Sequence, residues 1–149
     1  MADDLLESVR TRARANAFWQ TLGIEVEAAG EGWVHLRVPV RDGLRNAPGA
    51  PVHGGVLATL VDAAVGGALG TYGSAASGGV DQATLDLNVT FIAAARGDTL
   101  LAEGKIIRRG RSIAFGETRV TDTAGTLVAI GRATYMIVGP RSGPPNPPV

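Results

Sequence analysis

Asp62 is the only charged residue between Arg45 and Asp81. It stands in the middle of a run from Gly55 to about Tyr72 that reads as a helix, apolar or small on nearly every side. A helix of that composition is buried, not amphipathic. An ionised carboxylate there is costly unless it is paired, hydrogen-bonded or wet. The helix itself offers no basic partner. Two readings follow: a structural aspartate bonded to Thr59 or a neighbouring loop, or a general base or nucleophile in a pocket. Buried carboxylates cluster at functional sites, which weighs toward the second.

The start of the same helix supplies a complementary group. His53-Gly54-Gly55 precedes the apolar run, and two glycines can present backbone N–H groups with no side chain in the way. A helix N-terminus stabilises negative charge, so a carbonyl oxygen placed there would be polarised and the charge developing on attack would be held. Alternatively the glycine pair only turns the loop into the helix, and His53 on its own is structural. Gly54 and Asp62 are eight residues apart, or ~12 Å along a helix. An attacking water must lie ~3 Å from both participants. If both groups act on one carbonyl, two antiparallel helices in a twofold dimer are required, each lending Asp62 to the other's N-terminus.

The elements that must position these groups follow from periodicity. Residues 3–21 read as a helix, with Asp3, Asp4 and Glu7 early and Arg10, Arg12 and Arg14 later, in the order that suits the helix dipole. Ile24–Ala29 and Trp33–Val38 are strands around a Gly30-Glu31-Gly32 turn. Residues 39–53 form a loop punctuated by proline and glycine. The glycines Gly66, Gly67 and Gly70 imply close approach by a neighbouring backbone. After a Gly/Ser loop, Gln82–Ile92, Thr99–Arg109, Ser112–Asp122 and Leu127–Val138 read as four strands of an antiparallel meander. The expected architecture is α+β, about six strands curled around one long central helix, with a short N-terminal helix.

Composition narrows the function. The 149 residues fit one domain, residues 1–138, with 45% hydrophobic residues to build a core. Five of the eight prolines fall in residues 139–149, which read as a disordered tail. Fourteen basic and fourteen acidic residues cancel, so nothing global favours nucleic acid. There are no cysteines, which removes disulfides, thiolate zinc sites and cysteine nucleophiles together. With only two histidines, metal-dependent hydrolysis has little support, and no cofactor is expected. The N-terminus carries no basic segment ahead of an apolar run, and no stretch has the apolar character of a membrane span, so a cytoplasmic protein is expected.

His53-Gly54-Gly55 followed by Leu57-Ala58-Thr59-Leu60-Val61-Asp62 resembles the central helix of hotdog-fold acyl-CoA thioesterases, in the subgroup typified by the phenylacetic-acid-pathway enzyme (PaaI-like). Thr84-Leu85-Asp86-Leu87-Asn88 is similar to that subgroup's Ser/Thr-x-Asp-x-Asn strand, and Arg109-Gly110-Arg111-Ser112-Ile113-Ala114-Phe115 to its basic hairpin. The resemblance spans about residues 23–138. It implies Asp62 as catalytic acid residue, acting as general base or nucleophile, and Gly54 as backbone donor to the thioester carbonyl. It implies His53 and Thr84 as groups positioning substrate or water, and matches Asn46 to an asparagine upstream of the His-Gly-Gly. Gly55 and the hairpin residues Arg108, Arg109, Arg111 and Ser112 would bind substrate, the arginines clamping coenzyme A phosphates. A homodimer with shared sites, assembled further into a homotetramer, is the implied state.

Thioester hydrolysis fits the residues present. A thiol leaving group with pKa ~8.5 departs with little acid help, so one carboxylate and one oxyanion site suffice. The competing reading is a non-catalytic acyl-CoA-binding module on the same fold, which has little need of a buried Asp62. A hotdog hydratase pairs an Asp with a His five residues on, and neither histidine here has that partner.

Overall fold

The computed structural model describes residues 2–73 and 80–138. The proline-rich stretch after Val138 lies outside them, as does most of the Gly/Ser loop after Tyr72.

The N-terminal helical segment divides in two. Helix α1 (Ala2–Ala15) ends before Asn16, whose side chain accepts from Trp19 N and caps α2 (Ala17–Leu22). Asparagine is a strong N-cap, so a chain expected to run straight from 3 to 21 restarts at Asn16. Gly23 then takes the left-handed conformation that ends α2 (φ 75°). Buried Val9 and Ala13 seat α1 on the core. Arg10 bonds the carbonyls of Val26 and Glu27, so α1 also satisfies part of an otherwise open sheet edge.

The strands are β1 (Glu25–Gly30), β2 (Trp33–Pro39), β3 (Gln82–Phe91), β4 (Thr99–Arg109), β5 (Ile113–Asp122) and β6 (Leu127–Ile137). They form one antiparallel sheet in the order β1-β2-β4-β5-β6-β3. The expected four-strand meander is therefore corrected. Only β4-β5-β6 is a meander; β3 lies at the far edge against β6, and β2 takes the place beside β4 that the meander gave to β3. Short turns favour neighbours, but β3 and β4 are joined by residues 92–98, which run from β6, where Ile92 N donates to Val128 O, to the end of β2, where Val40 N donates to Asp98 O.

Helix α3 (Gly54–Gly70) lies in the sheet's concave face, with eleven of its seventeen residues buried. Three glycines on successive strands let it settle there. A Cβ on Gly104 would stand 2.5 Å from Ala64 O, one on Gly116 2.5 Å from a Val65 methyl, and one on Gly131 2.7 Å from a Val61 methyl. The close backbone approach thus comes from sheet glycines. The helix glycines do something else: Gly66 admits the Tyr135 hydroxyl, and Gly67 admits Trp19 and Val34. Thr71, at the helix end, accepts from Gly32 N and ties the β1–β2 turn to α3.

Candidate active site

Asp62 is half-buried on α3, between fully packed Val61 and Ala63. Its Oδ1 accepts from the Thr84 hydroxyl (2.9 Å) and from the Tyr135 hydroxyl (2.5 Å), which also lies 2.7 Å from the Asp62 carbonyl oxygen. Its Oδ2 accepts from no described residue. Thr59, one partner that the structural reading of Asp62 offered, instead donates to the Gly55 carbonyl. The carboxylate is thus fixed through one oxygen, and Asp62 lines a cavity.

Strand register delivers both hydroxyls. Thr84 and Tyr135 are direct cross-strand partners on β3 and β6. A bulge at Leu85 follows at once, shifting the register before Asp86; bulges re-aim side chains in this way. Burial and the adjacent Asp62 carboxylate push the Tyr135 phenol well above its ordinary range, against a smaller opposing effect of Thr84. Tyr135 therefore remains a hydrogen-bond donor at neutral pH.

Asp62, Thr84 and Tyr135 open onto a cavity of ≈ 300 Å³. That is the lower range of small-molecule sites. Its wall is the α3 face bearing Thr59, Asp62, Ala63, Gly66, Gly67 and Gly70, and its roof is α1 and α2, through Val9, Arg12, Ala13 and Trp19.

The remaining residues singled out from the sequence lie elsewhere. His53 caps α3, its Nδ1 accepting from Gly55 N (2.8 Å). That occupies the Gly55 donor and leaves the Gly54 N–H as the first unengaged amide of the helix. Asn46 belongs to the same end of α3. Leu44 O accepts from His53 N, and Asn46 N donates to Pro51 O, so the loop folds back beside the helix start. Within one chain, His53, Gly54 and Asn46 form one group, and Asp62 and Thr84 another. The basic hairpin stands at the opposite, C-terminal end of α3, where Arg109 packs over the Tyr72 ring at 4.7 Å. Arg108, Arg111 and Ser112 are exposed beside it. No group of three or more His, Asp or Glu residues suited to a metal occurs among the described residues.

Sequence reasoning missed Tyr135 and the roof. The signal for Tyr135 was present: in Ala129, Gly131, Ala133 and Tyr135 a tyrosine ends an alternating row of very small residues. Nothing local announced that α1 and α2 cover a cavity.

A model of the thioesterase superfamily matches residues 51–129, which include Gly54, Asp62 and Thr84 but stop short of Tyr135. A Halobacterium salinarum protein provisionally named an esterase is 34% identical over 144 residues, 91% of this chain and 94% of that one. Among solved structures, zebra fish thioesterase superfamily member 2 is 30% identical with TM-score 0.76, covering 93% of this chain and 99% of that one. The E. coli PaaI protein from the phenylacetic acid degradation operon shares the fold at TM-score 0.77 and 22% identity, over 91% and 96% of the two chains.

Proposed function

The chain belongs to the thioesterase superfamily, and on that premise we propose that it is an acyl-CoA thioesterase releasing coenzyme A from aryl- or medium-chain acyl thioesters. The observation that carries this reading is the state of the Asp62 carboxylate: one oxygen held by two hydroxyls, the other unengaged, on a residue that lines a cavity of substrate size. Asp62 takes a proton from water through Oδ2 as general base, or attacks as nucleophile. The Gly54 N–H polarises the thioester carbonyl and holds the charge of the tetrahedral intermediate. The C–S bond then breaks and the thiolate leaves, while Thr84 and Tyr135 keep the carboxylate oriented. The free acid is the co-product, directly when Asp62 activates water, or after water cleaves the acyl–Asp62 anhydride when it attacks. His53 holds the helix start in shape, and Asn46 lies near enough to it to position substrate.

The ~12 Å of helix between Gly54 and Asp62 makes each complete site the joint work of two chains. Strand β3 supports this. It is an edge strand of ten residues exposing Leu85, Leu87 and Phe91, and such an edge invites pairing with another chain. Antiparallel pairing brings one chain's basic hairpin toward the helix start of the other. There Arg108, Arg109, Arg111 and Ser112 bind the phosphates of coenzyme A, with pairs of dimers forming a tetramer.

The test is thiol release from a panel of aryl and aliphatic acyl-CoA thioesters by the parent and by Asp62→Asn. Cleavage by the parent, with at least ~100-fold loss in a folded variant, is expected for a general base. An equally active variant would remove Asp62 from the mechanism. Binding of acyl-CoA without thiol release by the parent would make the protein a receptor.

A further inference from the structure

We propose that Arg12 selects acyl groups ending in a carboxylate, so that the preferred substrates are the CoA thioesters of medium-chain dicarboxylic acids. This deepens the thioesterase reading and rests on it. Arg12 is half-buried on α1 and lines the same cavity as Asp62. Its Nη2 donates to Gly70 O (3.0 Å) and its Nη1 to Ser8 Oγ (2.8 Å). Several arginines of this chain have no ion pair among the described residues, but Arg12 is the half-buried one that lines the cavity, and it has no carboxylate partner among them. A guanidinium carries five donors, and only two groups receive them here. Burial already costs this cation, lowering its affinity for the proton, and an anionic ligand offsets that cost.

The dimensions set the length of the acyl group. Asp62 and Gly70 are eight residues apart on α3, ~12 Å, and Arg12 is fixed at the Gly70 end. A thioester carbon lies ~3 Å from the catalytic group, and a carboxylate ~3 Å from a guanidinium. About 6 Å remains, the span of five extended carbon–carbon bonds at the rise of an extended chain. That is a six-carbon diacid. Val9, Ala13 and Trp19 line this stretch with Gly66 and Gly67 and supply contacts for methylenes, while Asn16 and Gln82 are its polar groups, Gln82 Nε2 being engaged by Gly66 O.

The proposal is tested by comparing adipoyl-CoA with hexanoyl-CoA, which differ only at the distal carbon. For the parent, adipoyl-CoA is expected to have a kcat/KM about 10–100-fold higher, the range of a charge-assisted hydrogen bond, expressed mainly in KM. In Arg12→Leu the ratio falls to about one, and Arg12→Lys restores part of it. If Arg12 only caps the Gly70 carbonyl, its replacement lowers both substrates alike and the ratio stays put, which overturns the proposal, as does a parent indifferent to the carboxylate. Should Arg12→Leu unfold in a thermal melt, Arg12→Gln, which keeps a donor for Gly70 O without the charge, carries the same comparison. Calorimetry with non-hydrolysable thioether analogues of the two acyl-CoAs separates this from the catalytic reading. Arg12-dependent preference for the adipoyl analogue without turnover upholds the selectivity and removes the thioesterase; turnover without that preference does the reverse.

Discussion

Tyr135 gives the carboxylate at the centre of the site its fixed geometry. Removing its hydroxyl leaves Thr84 as the single donor to Oδ1 and frees the Asp62 side chain to turn. Tyr135→Phe is expected to lower kcat on the order of 10-fold or more, since small misplacements of a reacting group are expensive. It should lower stability by ~1–3 kcal/mol, the cost of losing a hydrogen bond to a charged group; steady-state kinetics and denaturant unfolding read the two effects. The pH dependence has a definite sign. The folded protein holds the Tyr135 proton more tightly than the unfolded chain, whose tyrosine ionises near its ordinary 10.0. The stabilisation is complete below about pH 10 and is lost as pH rises from there toward the folded value. Unfolding free energy should therefore fall more steeply above pH 10 in the parent than in Tyr135→Phe.

At the scale of elements, the site depends on how deeply α3 sits in the sheet. Gly104 is the tightest contact, because the atom facing a new Cβ is the Ala64 carbonyl oxygen at 2.5 Å, backbone that has no rotamer to give. Gly104→Ala is expected to destabilise by ~1–3 kcal/mol through overpacking and to displace Asp62 from Thr84, lowering activity as well as Tm. Gly43→Ala is the control. Its nearest neighbour is the Arg41 side chain at 3.9 Å, and its melt should match the parent. The α1–α2 break belongs to this scale too: Asn16→Ala removes the α2 cap at ~1 kcal/mol and loosens the roof of the cavity.

For the whole molecule, the question is whether one chain can act alone. Gly54→Pro removes the single N–H proposed to polarise the carbonyl. Proline is tolerated at the first helical position, and His53 already has the extended conformation (φ −58°, ψ 135°) that a residue before proline adopts. Gly54→Pro and Asp62→Asn should each be inactive alone. In a mixed dimer with sites shared across the twofold axis, one site carries both lesions and the other neither. Co-refolding the two variants should therefore restore thiol release, up to half the parent rate per mixed dimer. Sites contained within one chain would give no recovery. Replacing Leu87 on β3 with arginine should yield monomers by analytical ultracentrifugation and abolish activity with them.

Much of this protein is written locally. The apolar run with a lone acid, the His-Gly-Gly ahead of it and the alternation in each strand place all six strands and α3 to within a residue or two, because each depends on near neighbours along the chain. They also mark Asp62 and Gly54 as the residues to watch; Thr84 is singled out only by the family resemblance. The tertiary structure alone decided that β3 crosses to the far edge, that a tyrosine 73 residues after Asp62 bonds its carboxylate, and that α1 and α2 roof the cavity and bring Arg12 to its end. These are pairings between distant segments. They are set by burying α3 against a glycine-lined sheet face, a global packing condition that no local period encodes.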